Sequence, residues 1–364
     1  MKKIVFFSTG FAFNRLVRMR YYEKIFPPDI KIFLITTDKY KNTNEKNYQS
    51  KWDLVRTKVI VLKYNPLLIP FEVRKFCRKN KVDILSNLGH PFGAIPLIIA
   101  SRFTKKKIYL YFLGDVLEIY KNARPFKKKI KLFLTIIPYI FLTSLSHKIA
   151  FVGKRSYENA PTILLKNTEN NYYLHAPINT GLFKPKNKKE ARRKLKIKEE
   201  EKIILLTGKV TYMKGGDIIS KIIKSNLNIK FIVIGKWIEK EVPKFKSPNL
   251  IVLDKIYNEN LPKYYSAADL SFAFHRQGDQ MGIVGGESLA CGTPIIHTKR
   301  TAFKDSEAII KVSDSVSEIN KKIKEFFSKS KKQRDEISKT ARKYAQENLS
   351  DEIWKEKYLK FFLG

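Results

Sequence analysis

Two doubly wound α/β domains facing a cleft are what this sequence predicts, and three observations carry the expectation. Short, near-continuous apolar runs alternate with helix-like stretches along the whole chain, the pattern of a parallel sheet covered on both faces. The rhythm breaks at residues 175–197, where HAPINTGLFKPKNKKEARRKLKI brings Pro177, Gly181, Pro185 and a basic run, and reads as a linker. A second series of the same kind then begins. The length of 364 residues suits two domains of ordinary size.

In the first series IVFFS (4–8), IKIFLIT (30–36), VIVLKY (59–64), DILSNL (83–88), KIYLYFL (107–113) and KIAFVG (148–153) read as strands. Helices are expected over 13–26, 67–80, 92–103 and 126–145. In the second series the strands are KIILLTG (202–208), IKFIVIG (229–235), LIVLDKI (250–256), DLSFAF (269–274) and TPIIHT (293–298). Helices fall near 214–226, 260–267, 284–291, 315–328 and 331–346. The final stretch, 351–363, is amphipathic, with Trp354, Tyr358 and Phe361 on its apolar face.

Composition excludes several classes. With 43% hydrophobic and 13% aromatic residues the chain can bury large cores, so global disorder is ruled out. Cys77 and Cys291 are too few for a disulfide framework or a thiolate metal site, and a reducing compartment is expected. The apolar run of MKKIVFFSTG is too short for a secretory signal. The longest apolar stretch, 132–145, has 14 residues and includes Pro138, whereas a bilayer crossing needs about 20. The net charge is +38, and Lys outnumbers Arg 57 to 15, as biased codon usage would also produce. Residues 1–180 hold 33 basic and 11 acidic side chains; residues 181–364 hold 39 and 23. The first half is therefore basic through lack of acids, which suits an anionic surface or acceptor.

Ligands of open α/β sheets sit beyond the carboxyl ends of the strands. Segment TGKVTYMKGG (207–216) leaves a strand there, with Gly208 at the turn and Lys209 and Lys214 five residues apart, placed to face one anion from two sides of a loop. Segment FHRQGDQMGIVGGESLACGTPII (274–296) leaves another. Its glycines, Gly282, Gly285 and Gly286, stand just before the helical stretch Glu287–Cys291 and would let the amides around Gly282, Ile283 and Val284 approach a phosphate. Asp279 and Glu287 lie eight residues apart across this turn, where carboxylates suit sugar hydroxyls better than phosphate. Glu287, read as a first-turn acid, is expected to cost under about 1 kcal/mol when removed.

On these segments the sequence resembles the GT-B glycosyltransferases, and within them glycosyltransferase family 4. The family's basic-x4-Lys-Gly loop appears as Lys209 to Lys214-Gly215, with Lys in place of the commoner Arg. Its acid-x7-Glu signature appears as Asp279-Gln280-Met281-Gly282 followed by Glu287-Ser288-Leu289-Ala290-Cys291-Gly292-Thr293-Pro294, with Asp in place of the first Glu. PINTGLFKP (177–185) is similar to the family's interdomain segment. The resemblance covers 175–298; residues 1–120 agree only in general pattern. The family's His-Gly-Asp-like turn reads Leu113-Gly114-Asp115 here, so the imidazole is absent and Asp115 is the ionisable group left. His90, at another strand end, is a second candidate. Gly10 stands where such enzymes keep small residues near the donor, and Arg15 is assigned to an anionic acceptor.

The resemblance implies a retaining transfer from a UDP- or GDP-linked sugar to a glycan or lipid-linked acceptor hydroxyl. Lys209 and Lys214 would stabilise the departing phosphate, the role that usually dominates such catalysis. With no Asp-x-Asp motif near the site, neither metal nor cofactor is expected. Expected domains are 1–180 (acceptor side), 181–348 (donor nucleotide) and a helix, 349–364, returning to the first. ARPFKKKIKLFLTIIPYIFL (123–142) runs Lys127, Lys128, Lys129 and Lys131 into an apolar stretch. That combination suits an anionic lipid surface, so the expected location is cytoplasmic, peripheral on the inner face of the membrane. A nucleotide-sugar epimerase of the same fold is the alternative. Nucleic acid is not an expected partner, because no recognised binding module is present.

Overall fold

A computed structural model describes residues 1–9, 13–38, 54–88, 94–102, 104, 106–112, 130, 134, 136, 140, 141, 143–152, 157, 158, 160, 171–254, 256–276 and 282–364. The chain divides into two compact units, Met1–His175 with Lys355–Gly364, and Ala176–Trp354.

Unit 1 holds a seven-stranded sheet of β1 (Lys3–Ser8), β2 (Lys31–Thr37), β3 (Thr57–Leu62), β4 (Ile84–Asn87), β5 (Lys107–Phe112), β6 (Lys148–Phe151) and β7 (Asn171–Tyr173), ordered β3-β2-β1-β4-β5-β6-β7. Every pairing is parallel. Alternate residues face opposite sides of a strand, and both sides are buried. Val5, Phe7, Ile108 and Leu110 join Val73 and Cys77 of helix Ile69–Asn80 and Leu97 and Ile98 of helix Ile95–Arg102 in one core.

The other side is aromatic. Phe6 stacks on Tyr22 with ring centroids 4.6 Å apart. Phe362, from the last turns of helix Asp351–Leu363, meets Phe6, Tyr22 and Phe26 edge-on, each at 5.4 Å. Tyr358 shares a 2.9 Å hydrogen bond with the Tyr111 hydroxyl and donates one to the His175 carbonyl, also 2.9 Å. These contacts explain why residues 355–364 cluster with the start of the chain.

Unit 2 holds β8 (Ile203–Thr207), β9 (Lys230–Ile234), β10 (Leu250–Leu253), β11 (Leu270–Phe272), β12 (Ile295–Thr298) and β13 (Ile309–Val312), ordered β10-β9-β8-β11-β12-β13 and parallel throughout. Chain order reverses at β8, which lies between β9 and β11. That is the topological switch point of a doubly wound sheet, where ligands of such folds bind.

Three features depart from the sequence expectation. Strands β7 and β13 were not expected. The stretch 175–197 is not simply a linker: it contains helix Lys188–Lys194, capped by the Asn187 side chain, which accepts from the Glu190 amide. The division falls after His175, because the Ile178 amide donates to the Leu349 carbonyl at 2.8 Å and its own carbonyl accepts from Asp351. Of the expected helix 126–145, residues 130, 134, 136, 140, 141, 143 and 144 are helical; Lys127, Lys128, Lys129 and Lys131 lie outside the described residues.

Candidate functional site

The site begins where β8 ends. The Gly208 amide still donates to the Ile234 carbonyl at 2.8 Å, but its φ of +100° turns the chain out of the sheet. Thr211 then caps a short 3-10 turn, Tyr212–Lys214, by accepting from the Lys214 amide. Gly215, at φ +70°, closes that turn and opens helix Gly216–Ser225. The tight return brings Lys214 back over the strand end: a Cβ on Gly208 would stand only 2.9 Å from the Lys214 ammonium nitrogen. Burial, and then repulsion from Lys209, lower the Lys214 pKa. Lys209 itself is exposed. Five-residue spacing does place two cations within electrostatic reach of each other.

The loop leaving β11 is fastened to this turn. Phe274 packs where a Gly215 Cβ would sit, 2.7 Å from its ring. Arg276 grips Asp217 with two hydrogen bonds, 2.7 and 2.9 Å, stacks on the Tyr212 ring at 4.0 Å, and donates its amide to the Met213 carbonyl at 2.8 Å. His275, between these two anchors, has its pKa lowered to about 4 by burial and by Lys214, so it is neutral near pH 7.

Helix Ile283–Ala290 begins four residues before Glu287 rather than at it, and this changes what its glycines and its acid do. Gly285 and Gly286 lie inside the helix. A Cβ on Gly286 would stand 2.7 Å from Ile178, and one on Gly285 3.1 Å from Phe303. Both are glycines because close packing leaves no room for a Cβ. Gly282 is the N-cap, with open space about it. The first amides after it, including those of Ile283 and Val284, have no intrahelical partner.

Glu287 is accordingly not a first-turn acid. It is only 7% exposed, and the Tyr265 hydroxyl donates to its Oε2 at 3.1 Å. Tyr265 in turn shares a 2.7 Å bond with the Thr207 hydroxyl at the end of β8. Burial pushes the Glu287 pKa up to about 8, opposed by the Tyr265 hydrogen bond. Replacing it by Ala would empty a buried site and leave the Tyr265 hydroxyl with Thr207 alone, so a larger stability cost is expected than for an exposed acid. Its raised pKa means the folded state favours the protonated form. That contribution is complete below the unfolded value of 4.5 and is lost as pH rises toward about 8. Urea melts should show wild-type stability declining across this range and Glu287→Gln declining less. Parallel profiles would mean that Glu287 ionises freely.

The structure thus gathers Gly208, Lys209, Lys214, Gly282, Ile283, Val284 and Glu287 in one unit. His90, Asp115, Gly10 and Asp279 lie outside the described residues, as does the side chain of Arg15, whose backbone belongs to helix Phe13–Ile25. Sequence reasoning missed Tyr265, His275 and Arg276. The dipeptide His275-Arg276, directly after a strand, was a usable signal; nothing local marked Tyr265.

Residues 187–344 match the family model described as Glycosyl transferases group 1. Among curated proteins, the D-inositol 3-phosphate glycosyltransferase of Segniliparus rotundus is 26% identical over 136 residues, 34% of this chain and 30% of that protein. The Mycobacterium marinum protein of the same name is 23% identical over 137 residues, 34% and 28%. The match thus spans less than a third of these relatives. Among solved structures, Anabaena Alr3699/HepE in complex with UDP superposes with a TM-score of 0.77 at 13% identity, covering 99% of both chains. Sucrose-phosphate synthase (tll1590) from Thermosynechococcus elongatus gives 0.79 at 14%, covering 100% of this chain and 98% of that one. The fold is of the GT-B type, two Rossmann-like α/β units with C-terminal helices.

Proposed function

We propose that the protein is a glycosyltransferase that moves a sugar from a UDP- or GDP-linked donor to an acceptor hydroxyl, with retention of configuration, in the manner of glycosyltransferase family 4. The observation that carries this reading is the Lys214 ammonium folded over Gly208 at the switch point of unit 2, next in sequence to Thr207, whose hydroxyl is joined through Tyr265 to buried Glu287. The match of residues 187–344 to a glycosyltransferase family supports it.

In this scheme the donor diphosphate lies against Lys214, Lys209 and the open amides of Ile283 and Val284, with Gly208 and Gly282 leaving room for it. Glu287 accepts hydrogen bonds from the ribose. Asp279 serves the transferable sugar, Asp115 and His90 orient donor or acceptor hydroxyls, Gly10 leaves space for the donor, and Arg15 faces the acceptor. As the bond from the anomeric carbon to the diphosphate oxygen breaks, charge grows on that oxygen beside two ammonium groups. The acceptor oxygen attacks from the same face, and its proton passes to the departing oxygen. The lysines supply the counter-charge, so transfer should persist in EDTA. Screening nucleotide sugars for turnover tests the proposal: release of nucleoside diphosphate only with an acceptor present is expected, and epimerised donor without one would contradict it.

Ribose hydroxyls bind a carboxylate better than a carboxylic acid. Donor affinity should therefore rise with pH toward about 8, the Glu287 pKa, and Glu287→Gln should bind weakly with a flat profile. Calorimetry with UDP and GDP between pH 6 and 8 checks this.

The proposed acceptor is lipid-linked, with the protein docked on the inner membrane face. Among the described residues no helix is long and apolar enough to cross a membrane. Leu67 and Phe71 are nonetheless 80% and 58% exposed at the start of helix Ile69–Asn80, beside exposed Lys75, Arg78 and Lys79. Apolar groups rimmed by cations suit an anionic headgroup layer. Wild type should float with phosphatidylglycerol vesicles at low salt, and less after Leu67→Ser with Phe71→Ser or after Lys127, Lys128, Lys129 and Lys131 become Gln. Failure of wild type to float would overturn docking.

A further inference from the structure

We propose that unit 2 carries a second anion site, remote from the candidate donor loop, that takes a small organic phosphate. A cavity of about 520 Å³ opens at the amino ends of its strands: its walls include Ala268 and Asp269, which lead into β11, and Thr293 and Pro294, which lead into β12. Gly208, Lys214 and the Thr207–Tyr265–Glu287 chain belong to the carboxyl ends. This cavity and the loop at the opposite edge of the sheet cannot share a ligand.

The lining is cationic. It includes Lys186, Lys188, Lys189, Arg192, Lys331 and Arg334, against the acids Glu199, Asp269 and Asp335. Asp269 is engaged by Lys188 at 2.6 Å, Arg192 at 3.0 Å and the Ile203 amide at 2.8 Å. Glu199 faces Lys189 at 3.3 Å. Among the described residues, Lys186, Lys331 and Arg334 have no carboxylate within ion-pair distance. A concavity with an excess of one sign of charge focuses its field and concentrates counter-ions. Lys331 and Arg334 also sit in the first turn of the 18-residue helix Lys331–Asn348, whose end adds positive potential. The volume lies within the usual range for small-molecule sites and holds a phosphate with a sugar-sized body attached.

The test uses the full chain and inorganic pyrophosphate as probe, by calorimetry at near-physiological salt. Wild type should show two saturable sites. Lys214→Ala should remove one, the donor loop. Lys331→Gln with Arg334→Gln should weaken the other at least about tenfold, the usual effect of losing a charge-assisted contact, while UDP affinity and melting temperature stay as in wild type. Lys331 is exposed and Arg334 gives up only a hydrogen bond to the Lys329 carbonyl, so folding is not at risk. Retention of both sites in the double variant, or loss of all saturable binding in Lys214→Ala, would overturn the proposal. Failure of the donor-site reading looks different: Lys214→Ala would bind UDP like wild type.

Discussion

Lys214→Ala is expected to lower kcat/KM by about a hundred- to a thousandfold, the scale seen when a group that stabilises developing negative charge is removed. The reason lies in where the ammonium is held. It is half-buried and folded over Gly208 at the strand end. Water screens it poorly there, so its attraction to a departing diphosphate is strong. Burial and Lys209 already disfavour the charge. Its loss should therefore leave the melting temperature unchanged or slightly raised. Lys209→Ala should cost less, since that side chain is exposed and screened. Steady-state kinetics with the preferred donor, beside a thermal melt, separates the two effects. Activity of Lys214→Ala within about twofold of wild type would remove Lys214 from the mechanism.

The largest stability effect is expected at the other end of the chain. Phe362 is 1% exposed and meets Phe6, Tyr22 and Phe26 edge-on. Phe362→Ala should destabilise unit 1 by about 3–5 kcal/mol, the range for emptying a buried phenylalanine site. Phe362→Leu should cost less, because it refills most of the space. Urea unfolding is the check, followed by tyrosine fluorescence, since Tyr22, Tyr109 and Tyr358 line the same cluster. An unchanged transition would mean that residues 355–364 are not seated on unit 1.

Much of the fold was legible because a strand buried on both faces leaves an unbroken apolar run, as in IVFFS or KIILL. β7, Asn171–Tyr173, has only three residues and opens on a polar one, and β13, IIKV, is four residues long. Neither is distinguishable from a loop by pattern alone. Helix Lys188–Lys194 was hidden because KKEARRK has almost no apolar face. At the site, the lysine spacing pointed to a loop with two cations near one another, and Lys214 does lie over Gly208 within reach of the Lys209 charge. The packing role of Gly285 and Gly286 was not legible, because a glycine admitting a phosphate and one admitting Ile178 or Phe303 look the same in sequence. The burial of Glu287 was likewise invisible: it depends on Tyr265, distant in sequence and set by tertiary packing.

The proposed reaction needs a nucleoside diphosphate at the carboxyl ends of β8 and β11, and a crystal structure of the protein soaked with UDP, and in parallel with GDP, would locate it. Diphosphate oxygens are expected within hydrogen-bond distance of the Lys214 ammonium and of the amides at Ile283 and Val284, with ribose hydroxyls on the Glu287 carboxylate. A nucleotide seated elsewhere in unit 2, with Lys214 and Glu287 untouched, would contradict it.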